Sequence, residues 1–567
     1  MSAPTDGRRR WTDHVPIIGA LRTYDRSWLR ADVAAGVAVA ALIVPKNLGY
    51  AGIAGIPLQN GLYAAAAGAI LYAIFGTSKQ ISTGPSSGLA AVAASAVLAA
   101  GVVGDDVATF VAGITLVSGL VFVLLSVARM GWIAQFLSRA VVTGFLFGAA
   151  IDVVIGELPK ITGTSASGDN PPQELVSWLG TLGELNTATA VVGVTALVVV
   201  FGLRRIAPRV PGALVLVIGG LLASWLLDLG ERGVALVGDV PRGLPSVVVP
   251  DPSVLVDHVA TVVLASVALV MIGFSQTAGD ARTFAARHRY RVDINQESLA
   301  QGAANIGAGV LQGMPVSTSL SASSLNDRTG ARSPLASLTS GVMVILTLVL
   351  LAPLFSGLPT AVLAAIIIEA VVMGMMDVAG LRRLYRVHRF DFWIAIAALV
   401  STLLVGVLAG VLIGIGLSLL WLVSVATRPS LPLLAREPGT QVFREADEYP
   451  DDLPEPDLAV IRIDGGLFFA TADALEDRVR QVAAESPGLS AIIIDCGAIA
   501  IVDSQGAGVV HAILDLAEDR GLTVRLARVK PAVRETLQRD GVLDRLGPNR
   551  IHGSVYRAVE AHRGKGA

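Results

Sequence analysis

Apolar stretches long enough to cross a bilayer recur along the first three quarters of this 567-residue chain and stop abruptly near residue 427. A helix needs about 20 predominantly apolar residues to span the hydrocarbon layer, where every backbone group must be satisfied internally. Segments of spanning length lie near 31–52, 60–76, 106–128, 133–155, 188–203, 210–227, 259–279, 334–354, 358–376, 391–408 and 410–427. Shorter or interrupted ones lie near 84–101, 297–312 and 317–326. The balance of residues agrees: 53% are hydrophobic and only 16% charged, where soluble domains carry roughly a quarter. This excludes disorder and most soluble enzymes. A net charge of −2 offers no basic face for phosphate backbones, so nucleic acid is not an expected partner.

Charge orients the segments. Counted as fourteen spans from an inside start, the cytoplasmic loops and the N-terminal stretch (Arg8, Arg9, Arg10, Arg22, Arg26, Arg30) collect twenty-three Lys and Arg, and the external loops only Lys160, Arg232 and Arg242. A register error of one span would scramble that asymmetry. The expected protein is a polytopic α-helical membrane protein of the cytoplasmic (inner) membrane with both termini cytoplasmic. The first thirty residues are polar and arginine-rich, unlike a cleavable targeting peptide. The expected domains are a cytoplasmic segment at 1–30, a transmembrane domain at 31–427, a linker at 428–456 and a soluble domain at 457–567.

Fourteen divides into seven plus seven, and an odd-numbered repeat runs inverted in its second half. Segment three opens with Ser82-Thr83-Gly84-Pro85-Ser86-Ser87-Gly88 and its counterpart, segment ten, with Pro315-Val316-Ser317-Thr318-Ser319-Leu320-Ser321. Both are short, serine-rich and interrupted by Gly or Pro. Matched broken segments point to a transport site, because two half-helix N-termini present unpaired N–H groups and positive dipole ends to an anion. Close helix packing through small residues is the competing explanation. The run from Gly84 to Gly88 also fits G-x-S-x-G, but the sequence shows neither a strand before it nor a placed His.

Ionisable residues at membrane depth default to functional roles. Lys46 follows Pro45, which is expected to break the first span and turn the ammonium toward the half-helix starts; an internal ion pair with Asp280 or Glu369 is the alternative. Gln276 and Asp280 are four apart and share a helix face. Asp280 is a candidate site for a coupling proton or sodium ion, or an interfacial partner of Arg282 or Arg287. Asp152 and Glu369 have no identifiable partner. There is no H-E-x-x-H, Walker A or dinucleotide fingerprint, and the single cysteine, Cys496, excludes an internal disulfide and a thiol zinc site. No metal, cofactor or catalytic residue is expected.

After Arg428 come six prolines with acidic residues, then an α/β pattern: strands at Leu458 to Ile463, Ala491 to Asp495 and Thr523 to Ala527, helices at Ala472 to Glu485, Gln505 to Arg520 and Lys530 to Arg539. Cys496 is expected as a buried strand residue. Asp503-Ser504-Gln505-Gly506 lies at a strand-to-helix junction, a candidate regulatory or anion-binding turn or simply a helix cap.

With Pro45-Lys46-Asn47 and Tyr50 in its first span, Gly84-Pro85 before segment three, Pro315-Val316-Ser317 before segment ten and Asp503-Ser504-Gln505-Gly506 near its C-terminus, the chain from about residue 25 to 560 resembles bacterial members of the sulfate permease (SulP, solute carrier 26) family with a C-terminal STAS domain. The run Pro45-Lys46-Asn47-Leu48-Gly49-Tyr50-Ala51-Gly52-Ile53-Ala54-Gly55-Ile56-Pro57, then Gly61-Leu62-Tyr63, Phe75-Gly76-Thr77-Ser78 and Gly84-Pro85 carry the likeness. So do Phe284-Ala285, Tyr290-Arg291-Val292-Asp293, Asn295-Gln296-Glu297 and Pro315-Val316-Ser317, and Asp503-Ser504-Gln505-Gly506 in the STAS turn. The resemblance implies a seven-plus-seven inverted repeat, a core domain moving as an elevator against a gate domain, and a homodimer. It places the anion among Lys46, Tyr50, Ser86, Ser87, Gly88, Gln276, Ser319 and Ser321. The family usually has Gln at Lys46, an acid at Gln276 and often Arg at Ala322; a cation moved from one side of the site to the other accounts for two of these departures. Gln505 stands where phosphorylated STAS relatives carry Ser or Thr, which leaves Asp503 and Ser504 as the regulatory candidates.

The leading expectation is a secondary transporter of an inorganic oxyanion, sulfate first. Bicarbonate, chloride or a dicarboxylate such as fumarate, and an uncoupled anion conductor, are alternatives within the class. A membrane-anchored STAS signalling scaffold is the alternative outside it, and a nucleobase transporter is disfavoured by the STAS domain and the signature around Pro45. The STAS partner is not specified by the sequence.

Overall fold

The structure is a computed structural model and describes residues 15–135, 138–168, 170–208, 210–241, 243–455 and 457–564. Arg8, Arg9, Arg10, Arg209, Arg242 and Pro456, used above, lie outside the described residues. The chain forms two units, Met1–Ser418 and Leu419–Ala567.

A helix answers each of the fourteen apolar segments. They are α1 Leu29–Ile53, α2 Leu58–Phe75, α3 Ser87–Ala100, α4 Asp106–Val127, α5 Arg139–Thr162, α6 Thr187–Ile206, α7 Gly212–Leu227, α8 Val259–His288, α9 Ile294–Val310, α10 Leu320–Thr329, α11 Leu335–Leu350, α12 Thr360–Met375, α13 Arg389–Val405 and α14 Val407–Ala426. Among the described residues, eight helices are long and apolar enough to cross a membrane by length and composition. α3 and α10 are the short ones, 14 and 10 residues, because each is preceded by extended chain: β1 Thr83–Pro85 and β2 Val316–Thr318. α1 continues without interruption through Pro45, contrary to the expected break. Proline removes one backbone bond, and a helix well packed on both sides of it absorbs that loss.

Small residues set the packing. Ala64 to Ala69 of α2 are buried without exception, Gly68 among them. A Cβ on Gly68 would stand 3.1 Å from the Thr83 carbonyl oxygen, so the absence of a side chain is what lets β1 lie directly on α2.

In the second unit, β5 Leu458–Arg462, β6 Ala491–Asp495, β7 Thr523–Ala527 and β8 Ile551–His552 form a parallel sheet in that order. The pleat divides β6 between two cores. Ile492 and Ile494 pack with Leu475 and Val479 of α15 (Ala472–Glu485) and with Val510 and Ile513 of α16 (Ser504–Asp519). Ala491 and Ile493 pack with Ala558 and Val559 of α18 (Val555–His562), which follows α17 (Pro531–Arg539) in the chain. The stretch expected as a linker carries a hairpin, β3 Leu434–Arg436 against β4 Phe443–Glu445. Its Leu434 joins the second core, which gives the segment a fixed place on the sheet. Cys496 is buried but lies one residue beyond β6, its amide donating to the Ala527 carbonyl at 2.9 Å.

Candidate anion site

β1 and β2 pair antiparallel, Thr83 opposite Thr318, Gly84 opposite Ser317 and Pro85 opposite Val316. Each strand runs straight into a half-helix. Ser86 and Ser319 are the N-caps: both have extended backbones, and their hydroxyls accept the amides of Leu89 and Ala322, each at 3.4 Å. Serine suits this position because its side chain replaces one missing helical acceptor; other first-turn amides have none within the helix. The pairing also supplies the strand that the G-x-S-x-G reading lacked, since β1 exists only through its contact with β2, far away in the chain.

Side chains lock the crossing. Asn305 of α9 takes both backbone groups of Val316, its amide donating to the carbonyl at 3.0 Å and its oxygen accepting the N–H at 3.0 Å. The Ser323 hydroxyl accepts the Ser82 amide at 2.9 Å, and the Ser337 hydroxyl donates to the Ile81 carbonyl at 2.7 Å. From α8, Gln276 accepts the Ser317 hydroxyl at 2.7 Å and Asp280 the Thr318 hydroxyl at 2.8 Å. The shared face expected for Gln276 and Asp280 is thus directed at β2. Arg287 pairs with Asp327 at 2.7 Å, so Asp280 has no role as its surface partner.

A cleft lies between α1 and the strand crossing. Lys46, Asn47 and Tyr50 line it from α1, Ser82, Thr83, Gly84 and Pro85 from the first strand, and Ser319, Ser321 and Ala322 from the second half-helix. Its free space of about 20 Å³ holds roughly one water. Of the sequence candidates, Lys46, Tyr50, Ser319 and Ser321 meet here. Ser86 caps α3, and Ser87 is buried beside Tyr50. Gly88 instead faces α5, where an added Cβ would come within 2.9 Å of Leu146. Gln276 is engaged by Ser317 rather than exposed to the cleft.

Two cleft residues went unnoticed in the sequence. The Asn47 side-chain nitrogen and the Thr83 hydroxyl are buried with no hydrogen-bond partner. Orphaned donors of this kind are costly, and a bound acceptor would satisfy them. A polar amide inside an apolar span was the available signal for Asn47.

Lys46 makes no ion pair among the described residues. Glu369, one carboxylate the sequence offered it, accepts a 2.6 Å bond from Arg204 instead; the other, Asp280, is held by Thr318. Glu369 therefore has the partner that spacing did not disclose. Asp152 still has neither a hydrogen bond nor an ion pair among the described residues. In the second unit, Asp503 caps α16 by accepting the Gly506 amide at 2.7 Å and also accepts the Phe469 amide at 2.9 Å. Its carboxylate is held below the usual range, first by the Gly506 amide.

Two half-helices starting at a strand crossing in a polytopic bundle define a membrane transporter rather than an enzyme. The chain belongs to the sulfate permease family, which it matches over residues 29–398, with a STAS domain over 449–560. It is 34% identical over 551 residues to a probable sulfate transporter of Mycobacterium tuberculosis, covering 97% of this chain and 98% of that protein. Human solute carrier family 26 member 6 is 30% identical over 494 residues, 82% of this chain and 65% of that protein. The fold matches the murine solute carrier 26 family member A9 anion transporter with a TM-score of 0.88 at 20% identity, covering 99% of this chain and 96% of that one. It matches the transmembrane domain of a cyanobacterial bicarbonate transporter, BicA, with a TM-score of 0.60 at 21% identity, covering 68% and 97%.

Proposed function

We propose that this protein is a secondary transporter of an inorganic oxyanion, with sulfate as the leading substrate, bound between the starts of α3 and α10. The observation that carries the reading is a convergence of polar groups on one cleft: the serine-capped start of α10, the β1 strand that leads into α3, the Lys46 ammonium, and the unpaired Asn47 and Thr83 donors. Hydroxyls, amides and one ammonium suit an anion that sheds part of its hydration. The sulfate transporter named among its relatives supports the choice of sulfate. A cleft with room for about one water must widen to admit sulfate, which favours alternating access by movement of one helix group against the other.

Asp280, held by Thr318 beside the crossing, is the candidate coupling site for a proton or sodium ion. The proposed assembly is a homodimer in the cytoplasmic membrane with both termini inside, and Asp503 and Ser504 are the regulatory candidates of the STAS domain. Uptake of radiolabelled sulfate, bicarbonate, chloride and fumarate into proteoliposomes, with and without proton or sodium gradients, tests the reading. Saturable uptake of sulfate supports it. Saturable uptake of another anion alone reassigns the substrate. No uptake by folded protein favours the signalling scaffold.

A further inference from the structure

We infer that Arg204 is a positioning residue for anion affinity: by occupying Glu369 it keeps that carboxylate away from Lys46, whose ammonium is thereby left for the substrate. The inference rests on the proposed anion site. Its basis is a set of three charges on three helices. Lys46 lies on α1, Glu369 on α12 and Arg204 at the end of α6, and α12 packs against both of the others. Glu369 is only 7% exposed, and the Arg204 guanidinium donates to it at 2.6 Å. Glu369 and Arg204 both lie near enough to Lys46 to act on its ammonium, the carboxylate attracting it and the guanidinium repelling it. Lys46 itself faces the cleft.

A buried carboxylate that stays charged is stabilised strongly by a neighbouring cation, because an uncompensated charge in a low-dielectric interior costs far more than a paired one. Arg204 supplies that cation in a charge-assisted hydrogen bond. Together they form a neutral pair, and the site retains the single positive charge of Lys46. Without Arg204 the Glu369 carboxylate, which lies close enough to Lys46 to attract it, would compete with the anion for the same ammonium. Loss of a residue that does not line the cleft would then weaken substrate binding. The Arg204 side chain is 48% exposed, so its replacement removes charge without opening a cavity in the core.

The test is the concentration dependence of radiolabelled sulfate and chloride uptake by the full chain in proteoliposomes. Arg204→Gln is expected to raise KM about tenfold with kcat less affected, the effect of one mispaired charge at an intermediate dielectric. Adding Glu369→Gln to Arg204→Gln is expected to bring KM back toward the parent value, a reversal that a merely structural defect would not produce. An unchanged KM in Arg204→Gln, or an increase that Glu369→Gln leaves in place, overturns the inference. If Arg204→Gln does not fold, Glu369→Gln alone decides: KM equal to or below the parent value supports the inference, and a raised KM overturns it. Lys46→Gln separates the two levels. If it leaves KM unchanged, the anion site falls, and the inference with it. If it raises KM while Arg204→Gln does not, only the inference falls. Parent protein that takes up neither anion removes both.

Discussion

The hydroxyl of Tyr72 on α2 hydrogen-bonds the carboxylate of Glu297 on α9, although the two residues lie 225 positions apart. Glu297 is fully buried and also accepts the Thr77 amide at 2.8 Å. Around it, Gln296 donates to the Phe75 carbonyl at 2.8 Å, and Ser78 and Tyr290 share a hydrogen bond of 2.7 Å. The loop between α2 and β1 is clamped onto the start of α9, and that loop delivers β1 to the cleft.

Glu297→Gln should therefore destabilise the membrane unit. The amide turns a donor toward groups that need an acceptor, a loss of about 2–3 kcal/mol for charged hydrogen bonds left unmade. A lower melting temperature in detergent is the expected result. An unchanged melting temperature would mean that the clamp is dispensable.

Thr83→Val should act in the opposite sense on stability and affinity. The Thr83 hydroxyl is buried without a partner, so an isosteric apolar group costs nothing in the empty protein and can stabilise it. Sulfate affinity should fall several-fold, about 1 kcal/mol, if the hydroxyl contacts the anion. Parent-like KM in transport would remove Thr83 from the site.

Ser321→Glu places a carboxylate at the mouth of the second half-helix, where Ser321 lines the cleft and lies 3.2 Å from the Ser319 hydroxyl. Uptake should be abolished while size-exclusion behaviour and melting stay near the parent values, since residue 321 is exposed. Normal uptake would show that the anion passes elsewhere.

Cys496 offers a test of the STAS domain through pH. Burial, and secondarily the charge of Asp495, push its thiol up to about 12. The thiolate is the reactive form, so the folded protein should resist iodoacetamide even at pH 9 and label fully only once guanidinium unfolds the domain. As the chain has one cysteine, incorporation reads this site alone. Rapid labelling of native protein at pH 8 would contradict the buried placement.

Local pattern made much of the architecture legible. A helix falls at each of the fourteen expected segments, the three short or interrupted ones included, and the three strands and three helices expected in the C-terminal domain agree to within a residue, while β8 and α18 were not foreseen. The paired interruptions around Gly84 and Ser317 were legible as two half-helix starts, because Pro, Gly and Ser at a helix start act through neighbouring backbone alone. The interrupted helix expected at Pro45 did not occur, because packing outweighed the local loss of one hydrogen bond. The hairpin at 434–445 was hidden among prolines and acids, since its stability comes from Leu434 joining a distant core.

What the sequence by itself determined is everything that depends on spacing along one chain: the spans, the half-helix starts with their serine caps, the alternation of the soluble sheet, and the family. What only the tertiary structure decided is which groups are already taken. Arg204 counted as one more positive loop residue until it was found on Glu369. Lys46 had two carboxylates to choose from and pairs with neither, while Asn47 and Thr83 were ordinary polar residues until burial left them without partners. The physical reason is that charge pairing and hydrogen-bond satisfaction are settled over a few ångströms between helices far apart in the chain, and no periodicity records those distances.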